Sequence, residues 1–165
     1  MRKLLVTILL ATTAAVSVAE PLPLAFVSIS FPAGWKVDAE KGTYTSSPPS
    51  QGARREITAQ ACARSKEDCG KTCNPSELLP NFFYFFDAQS NTEYSQPKRA
   101  DEFEELRAIG TVGTPPTWIA ATVICGPLGL VYIGATSPSK DEAMSLLSSA
   151  AETVRVTPNA SSPAK

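Results

Sequence analysis

The sequence predicts an α+β protein with a single domain, mostly antiparallel sheet with helices packed on one face. Three observations predict it. Several short segments alternate apolar and polar residues, as half-buried strands do. Two longer apolar segments, 117–125 and 128–136, are separated only by a short turn containing Gly126-Pro127, which favours an antiparallel hairpin. Two segments beginning at Asn74 and Ser139 carry the signals of helix starts.

The first nineteen residues have the pattern of a secretory signal peptide. A basic start over residues 1–3 precedes an apolar run over 4–18, and Ser17 and Ala19 are the small residues that a signal peptidase requires. The run is shorter than the roughly 20 apolar residues of a membrane span. We therefore expect residues 1–19 to be removed; a retained N-terminal anchor is the alternative.

The expected export limits where the protein works and which partners it can meet. Loss of the leader removes two basic residues and no acidic one, so the formal net charge moves from −1 to about −3. Nucleic-acid binders need a basic patch, so neither nucleic acid nor an anionic membrane surface is expected as a partner. We expect a domain over residues 20–156 and a flexible tail over 157–165, located in the periplasm. Secretion to the outside is the alternative, and in a eukaryotic secretory route Asn159 would be a glycosylation acceptor.

The first half of the domain reads as strands. Segment 25–31 alternates, 35–41 and 43–46 are short extended stretches, 47–52 is a proline-containing loop, and the alternation resumes at Arg55. The residues expected to face inward are Val27, Ile29 and Phe31, and then Ile57, Ala59 and Ala61.

A helix is predicted from Asn74, because an N-cap side chain is followed by Pro75 and, three residues on, by Glu77. Pro80 either kinks this helix or restarts it. Residues 82–86 are five consecutive aromatics, of which a helix can turn only about half inward. Tyr84 and Phe85 are therefore candidate contacts for a partner. The alternative is that both helix faces are covered by protein.

The second half contains the expected centre of the fold. Segment 100–109 is ambiguous between helix and strand, but alternation favours a strand from about Glu105. Segments 117–125 and 128–136 are apolar on both faces, which is typical of central strands covered on both sides. Ser139 is expected to cap a helix with Glu142 completing a capping box, and 154–156 is expected to form a last short strand.

One acidic run stands out and consists of Asp101, Glu102, Glu104 and Glu105. Two carboxylates at one place can bind a hard cation or act as the acid and nucleophile of a glycosidase. An acidic run more commonly forms a solvated face, which a partner can contact. We take these four residues as candidate partner contacts and expect no metal site there.

The four cysteines are Cys62, Cys69, Cys73 and Cys125. An even number in an exported chain indicates two disulfides, with three pairings possible. We favour one bridge within the 62–73 loop and one from that loop to Cys125. A structural zinc site is the rival, although the chain has no histidine and Cys125 stands alone.

The absence of histidine excludes Ser-His-Asp and Cys-His catalysis. Residues 137–140 match the S-x-x-K pattern of serine acyl-enzymes, but the companion motifs are missing and Ser139 reads better as a helix cap. Residues 69–73 have three residues between the cysteines, whereas thioredoxin-type sites have two. We expect no enzymatic activity and no cofactor.

Residues 31–35 (Phe-Pro-Ala-Gly-Trp), the central hairpin and a closing helix that leads into residues 152–156 (Glu-Thr-Val-Arg-Val) resemble the PsbP/DcrB-like family of small α+β proteins. The resemblance implies that fold over most of residues 25–156 and a bias towards non-enzymatic roles. The 62–73 cysteine loop and the aromatic run depart from the family pattern. We therefore expect an exported binding protein of the bacterial envelope, for example an immunity or inhibitor protein that acts on a toxin or lytic enzyme. A carboxylate-based hydrolase and a structural envelope component are the alternatives.

Overall fold

The computed structural model describes residues 19–40, 43–49, 54–64, 73–85, 92–100 and 102–157. Its elements in chain order are β1 (Leu22–Leu24), β2 (Val27–Ile29), β3 (Lys36–Glu40), β4 (Thr43–Ser47), β5 (Glu56–Ala63), α1 (Pro75–Phe85), β6 (Glu93–Tyr94), β7 (Lys98–Ala100), β8 (Phe103–Val112), β9 (Thr117–Gly126), β10 (Gly129–Ser137), α2 (Lys140–Ala151) and β11 (Arg155–Val156). The fold is α+β and rich in strands, as the sequence predicts. No helix in these ranges combines the length and hydropathy needed to cross a membrane.

The main sheet is antiparallel and has the order β3-β4-β5-β10-β9-β8-β6, with β7 also paired to β8. Its centre is the β9–β10 hairpin, in which Gly126 pairs with Gly129. A second sheet of three strands has the order β1-β2-β11. The first and last of the described strands therefore lie in the small sheet, and the long strands between them form the large one.

The two helices lie on opposite faces of the main sheet, which corrects the expectation that both pack on one face. We call the two sides the α1 face and the α2 face. On the α2 face, Ile57, Ala120 and Ile133 pack with Leu147 of α2 and with the small sheet. On the α1 face, the neighbouring positions of β8 and β9, with Leu79 and Phe83 of α1, form a separate core. Both faces are covered because β9 is apolar at nearly every position, so each face needs its own covering layer.

Local signals locate most elements well. Asn74 Oδ1 accepts a hydrogen bond from the backbone N–H of Ser76 at 3.1 Å, so Asn74 caps α1 as expected. The helix then continues through Pro80 to Phe85 without restarting. Strand β8 begins at Phe103, slightly earlier than expected.

The predicted strand 25–31 is shorter than expected. Ala25 has a positive φ of 53° and forms the turn between β1 and β2, so only Val27–Ile29 is strand. The turn buries the Phe26 side chain, which is 5% exposed, and Val27, Ile29 and Phe31 still face the core as expected. Burial of four apolar side chains offsets the cost of a left-handed backbone at one alanine.

Residues 1–18 and 158–165 lie outside the described ranges. The predicted leader falls there except for Ala19, whose backbone N–H donates to the Phe31 carbonyl at 2.9 Å. The expected tail also falls there except for Thr157, whose N–H donates to the Phe26 carbonyl at 3.0 Å. The hydrogen bonding around the small sheet therefore extends to both of these residues.

Candidate functional site

The S-x-x-K segment has its reactive groups in structural contacts. Ser137 Oγ donates a short hydrogen bond to Glu142, and Arg55 Nε donates to the other carboxylate oxygen of Glu142 at 2.6 Å. Lys140 Nζ lies 2.7 Å from Glu93 Oε2 and 5.5 Å from the centre of the Trp118 ring. The lysine ammonium is thus held by a carboxylate and an aromatic ring, and Ser137 is hydrogen-bonded to a carboxylate.

The same contacts modify the expected capping box. Ser139 Oγ accepts from the Glu142 N–H at 3.4 Å, as an N-cap does. The Glu142 side chain, however, turns to Ser137 and Arg55 and so joins β10 and β5 to the start of α2. The hydrogen bonds from Ser137 and Arg55 lower the pKa of Glu142, because both stabilise its charged form.

The acidic run divides between the two faces of the sheet. Glu105 lies on the α2 face and accepts from Arg107 Nε at 2.6 Å and from Thr122 Oγ1 at 3.1 Å. Glu104 pairs with Cys125 in the ladder, lies on the α1 face and contacts Arg99 at 3.3 Å. Glu102 is exposed, and Asp101 lies outside the described residues. Strand alternation therefore prevents Glu104 and Glu105 from acting on one substrate bond.

The aromatic run is partly core and partly surface. Phe83 is fully buried, while Phe82 is half-buried with its ring centre 4.4 Å from that of Tyr132. Tyr84 is 67% exposed on α1, so most of its surface is accessible to a partner. The Phe85 side chain and all of Phe86 lie outside what the structure describes.

A disulfide joins Cys73 to Cys125 with a Cα–Cα distance of 5.6 Å, which is the long bridge favoured from the sequence. It links the residue before the α1 cap to the α1 face of β9. Cys62 is also disulfide-bonded, and Cys69 lies outside the described residues. Within the described part of the chain, no group of three or more His, Cys, Asp or Glu residues is positioned to hold a metal ion.

The α1 face is covered unevenly. Helix α1 packs mainly on β8 and β9. In the middle of β5 and β4, the side chains directed to this face are polar and half-buried or exposed: Thr58, Gln60, Thr43 and Thr45. A polar stretch of sheet therefore remains beside the helix.

A cleft of about 180 Å³ opens where α1 meets this polar stretch, and we call it the α1 cleft. Its apolar wall is formed by the Phe82 ring, Ile119, Val112, Ala135 and Gly134, and its polar rim is formed by Arg54, Glu56, Thr58, Thr117 and Thr136. Arg54 and Glu56 contact each other at 3.4 Å, so the rim contains an exposed ion pair.

Two buried hydroxyls lie beside the α1 cleft. Tyr132 Oη and Thr136 Oγ1 have no hydrogen-bond partner among the described residues. Thr136 lines the cleft, and a Cβ placed on Gly134 would lie 3.6 Å from Tyr132 Oη. Burial raises the pKa of Tyr132 far above its usual value of 10, because the phenolate would be poorly solvated.

Sequence reasoning missed these three residues of β10. A usable signal was present, since Tyr132, Gly134 and Thr136 interrupt an otherwise apolar central strand at every second position and so share one face. That pattern indicates that one face of β10 is not an ordinary core. It does not indicate a cleft, because the cleft also needs Phe82 from α1.

In comparisons with known proteins, no family model and no curated protein matches the chain.

Proposed function

We propose that the protein is an exported, non-enzymatic binding protein of the bacterial envelope, which acts as an immunity or inhibitor protein by docking on a toxin or lytic enzyme. The observation that carries the proposal is the α1 face, where an apolar cleft adjoins a polar, partly exposed sheet surface. Protein interfaces commonly combine a small apolar centre with a polar rim. A partner segment lying along β5 and β4 would meet both.

The charged and nucleophilic groups outside the α1 cleft support a binding role. Ser137, Lys140 and Glu142 are held in contacts that join β10, β5, β6 and α2. Glu104 and Glu105 point to opposite faces of the sheet. A hydrolase that uses Glu104 and Glu105 as its two catalytic carboxylates is therefore not favoured. The resemblance to PsbP/DcrB-like proteins also favours a non-enzymatic role.

Rigidity is a second support. A binding surface retains more affinity when little conformational freedom is lost on docking. The proposed surface lies on strands β5, β10 and β9, which are paired on both sides, and on a helix tied to β9 by Cys73–Cys125. An exported inhibitor with such a surface would bind without first having to fold.

The test uses the mature, oxidised protein and a secreted toxin or lytic enzyme encoded beside its gene. We expect direct binding in biolayer interferometry and inhibition of the enzyme. Gln60→Arg places a bulky charge on the exposed polar stretch and should weaken binding at least tenfold, whereas Ser145→Arg on the solvent side of α2 should leave it within twofold. Tyr84→Ala should weaken binding without lowering the thermal midpoint, because the ring is 67% exposed.

Three outcomes would contradict the proposal. The purified protein could fail to bind the toxin or enzyme encoded beside its gene. Gln60→Arg and Ser145→Arg could reduce binding equally, which would place the contact elsewhere. The wild-type protein could also hydrolyse a glycoside or peptide substrate, with the activity lost on replacement of a carboxylate.

A further inference from the structure

We infer that the α1 cleft receives one tyrosine side chain of the bound partner, with the ring against Phe82 and the phenolic hydroxyl paired with Thr136 and Tyr132. This inference rests on the proposed function and specifies what the docking surface recognises. Three properties of the cleft carry it: its size, its apolar wall and the two unpaired hydroxyls beside it.

The size and wall of the cleft fit one aromatic ring. An apolar cavity of about 150 Å³ holds a benzene-sized group, and the α1 cleft has about 180 Å³. The Phe82 ring on one side offers the edge or face for an aromatic contact, and Ile119 and Val112 offer aliphatic surface. Because position 134 of β10 is glycine, no side chain from this position occupies the cleft.

The surroundings of position 134 do not require a glycine there. A Cβ built there has its nearest neighbours at 3.6 Å, which are the Phe82 ring and Tyr132 Oη, and this is ordinary contact distance. By contrast, a Cβ at Gly129 of the same strand would collide with the Cys62 carbonyl oxygen. Gly129 is therefore needed for the fold, whereas Gly134 keeps the cleft open.

The two hydroxyls select a ring with a polar tip. Tyr132 Oη and Thr136 Oγ1 are shielded from water and have no partner among the described residues. A buried hydroxyl without a partner is unfavourable, so a ligand that supplies one is favoured over an apolar ligand of the same shape. Thr136 lines the cleft, and its hydroxyl can change between staggered positions about the Cα–Cβ bond to meet a ligand. A phenolic hydroxyl can both donate to and accept from such groups.

The rim is consistent with a neutral ring and disfavours a cation. Arg54 and Glu56 stand together at the mouth and contact each other at 3.4 Å, so they present little net charge. Among the described residues that line the cleft, Glu56 is the single carboxylate, and it is already paired with Arg54, so a lysine or arginine entering the cleft would find no unpaired carboxylate there. A phenylalanine would fit the apolar wall but would leave both hydroxyls unpaired.

The experiment uses p-cresol, which is the tyrosine side chain cut at Cβ, and toluene, which lacks only the hydroxyl. Each is titrated into the isotope-labelled mature protein to millimolar concentration and followed by NMR. We expect p-cresol to shift the signals of Ile119, Val112 and Gly134. We expect toluene to bind the same site at least about tenfold more weakly, because it leaves both buried hydroxyls without a hydrogen-bond partner.

Three variants locate the site and separate its parts. Gly134→Ala adds one methyl group to the cleft and should weaken p-cresol at least tenfold, while Ser145→Ala on the solvent side of α2 should have no effect. Thr136→Val keeps the shape of the side chain but removes the hydroxyl. The affinity for p-cresol should therefore fall towards that for toluene, while the affinity for toluene should be unchanged. Tyr132→Phe should act in the same direction. Unchanged spectra away from β10 would establish that each variant is folded.

Several results would overturn the inference. One is the absence of p-cresol shifts at the cleft, and another is equal binding of toluene and p-cresol. Partner binding that is unaffected by Gly134→Ala but lost in Gln60→Arg would reject the tyrosine pocket and leave the proposed function standing. Specific p-cresol binding without capture of the toxin or enzyme would reject the proposed function and leave a phenol-binding cleft.

Discussion

Removal of the Cys73–Cys125 disulfide tests how α1 is held on the sheet. The bridge joins residues that are 52 positions apart, so it excludes many extended conformations of the unfolded chain. The loop-entropy relation gives about 14 cal/mol/K for a loop of this length, or about 4 kcal/mol at 25 °C. We expect the double variant Cys73→Ala/Cys125→Ala to lose stability by about this amount.

The loss should also be visible in the thermal midpoint. For a domain near 150 residues, 1 kcal/mol corresponds to roughly 2–4 °C, so a decrease of roughly 8–16 °C is expected. Alanine is the appropriate replacement because Cys125 is 5% exposed and serine would bury a hydroxyl there. Replacement of both cysteines also leaves no free thiol to exchange with the disulfide that contains Cys62.

The assay is urea unfolding followed by circular dichroism at pH 7. The slope of free energy against urea should increase in the double variant, because its unfolded state exposes more surface. Ser145→Ala, in which a small exposed side chain is shortened, is the control and should leave midpoint and slope unchanged. A loss below about 1 kcal/mol with an unchanged slope would refute the reasoning, since it would mean that packing alone holds α1 on β9.

Two further predictions concern the backbone and the pH response. Gly129→Ala should destabilise the protein by about 3 kcal/mol or more in urea unfolding, because Gly129 has φ of +147° and its added Cβ would collide with the Cys62 carbonyl oxygen. Gly134→Ala should change the free energy of unfolding by no more than about 1 kcal/mol. Equal losses of stability in Gly129→Ala and Gly134→Ala would contradict the different roles assigned to the two glycines. Glu142→Gln should cost less than about 1 kcal/mol at pH 7, because the carboxylate is partly exposed and solvent screens its pairing with Arg55, and progressively less below pH 4.5, the usual pKa. Because the pKa of Glu142 is lowered in the folded protein, its contribution to the free energy of unfolding is present above pH 4.5 and is lost as the pH falls through the lowered pKa. If the stability of wild type and variant decreased equally with falling pH, this prediction would be contradicted.

Local sequence patterns were sufficient to predict most elements of the fold. Alternation predicted the inward faces of β2 and β5, because a strand turns successive side chains to opposite sides whatever it packs against. Capping chemistry predicted the starts of α1 and α2, because the cap satisfies nearby backbone N–H groups. The apolar character of both faces of β9 also indicated that this strand is covered twice.

Side-chain partners were less predictable because they are distant in sequence. Glu142 was expected to complete a local capping box, but Arg55 lies 87 positions away and adjoins it only after β5 and β10 have paired. Glu104 and Glu105 were predicted as one acidic surface, and strand formation placed them on opposite faces. The pattern of charges along the chain does not contain the information that decided these contacts.

The leader pattern, the composition and the even number of cysteines can be interpreted from the sequence by itself, because each depends only on residue type and short-range order. The placement of the helices on opposite faces, the uneven cover of the α1 face and the cleft beside Phe82 depend on tertiary packing. The cleft combines a helix side chain with residues of four strands, β5, β8, β9 and β10, so it exists only when those elements are assembled.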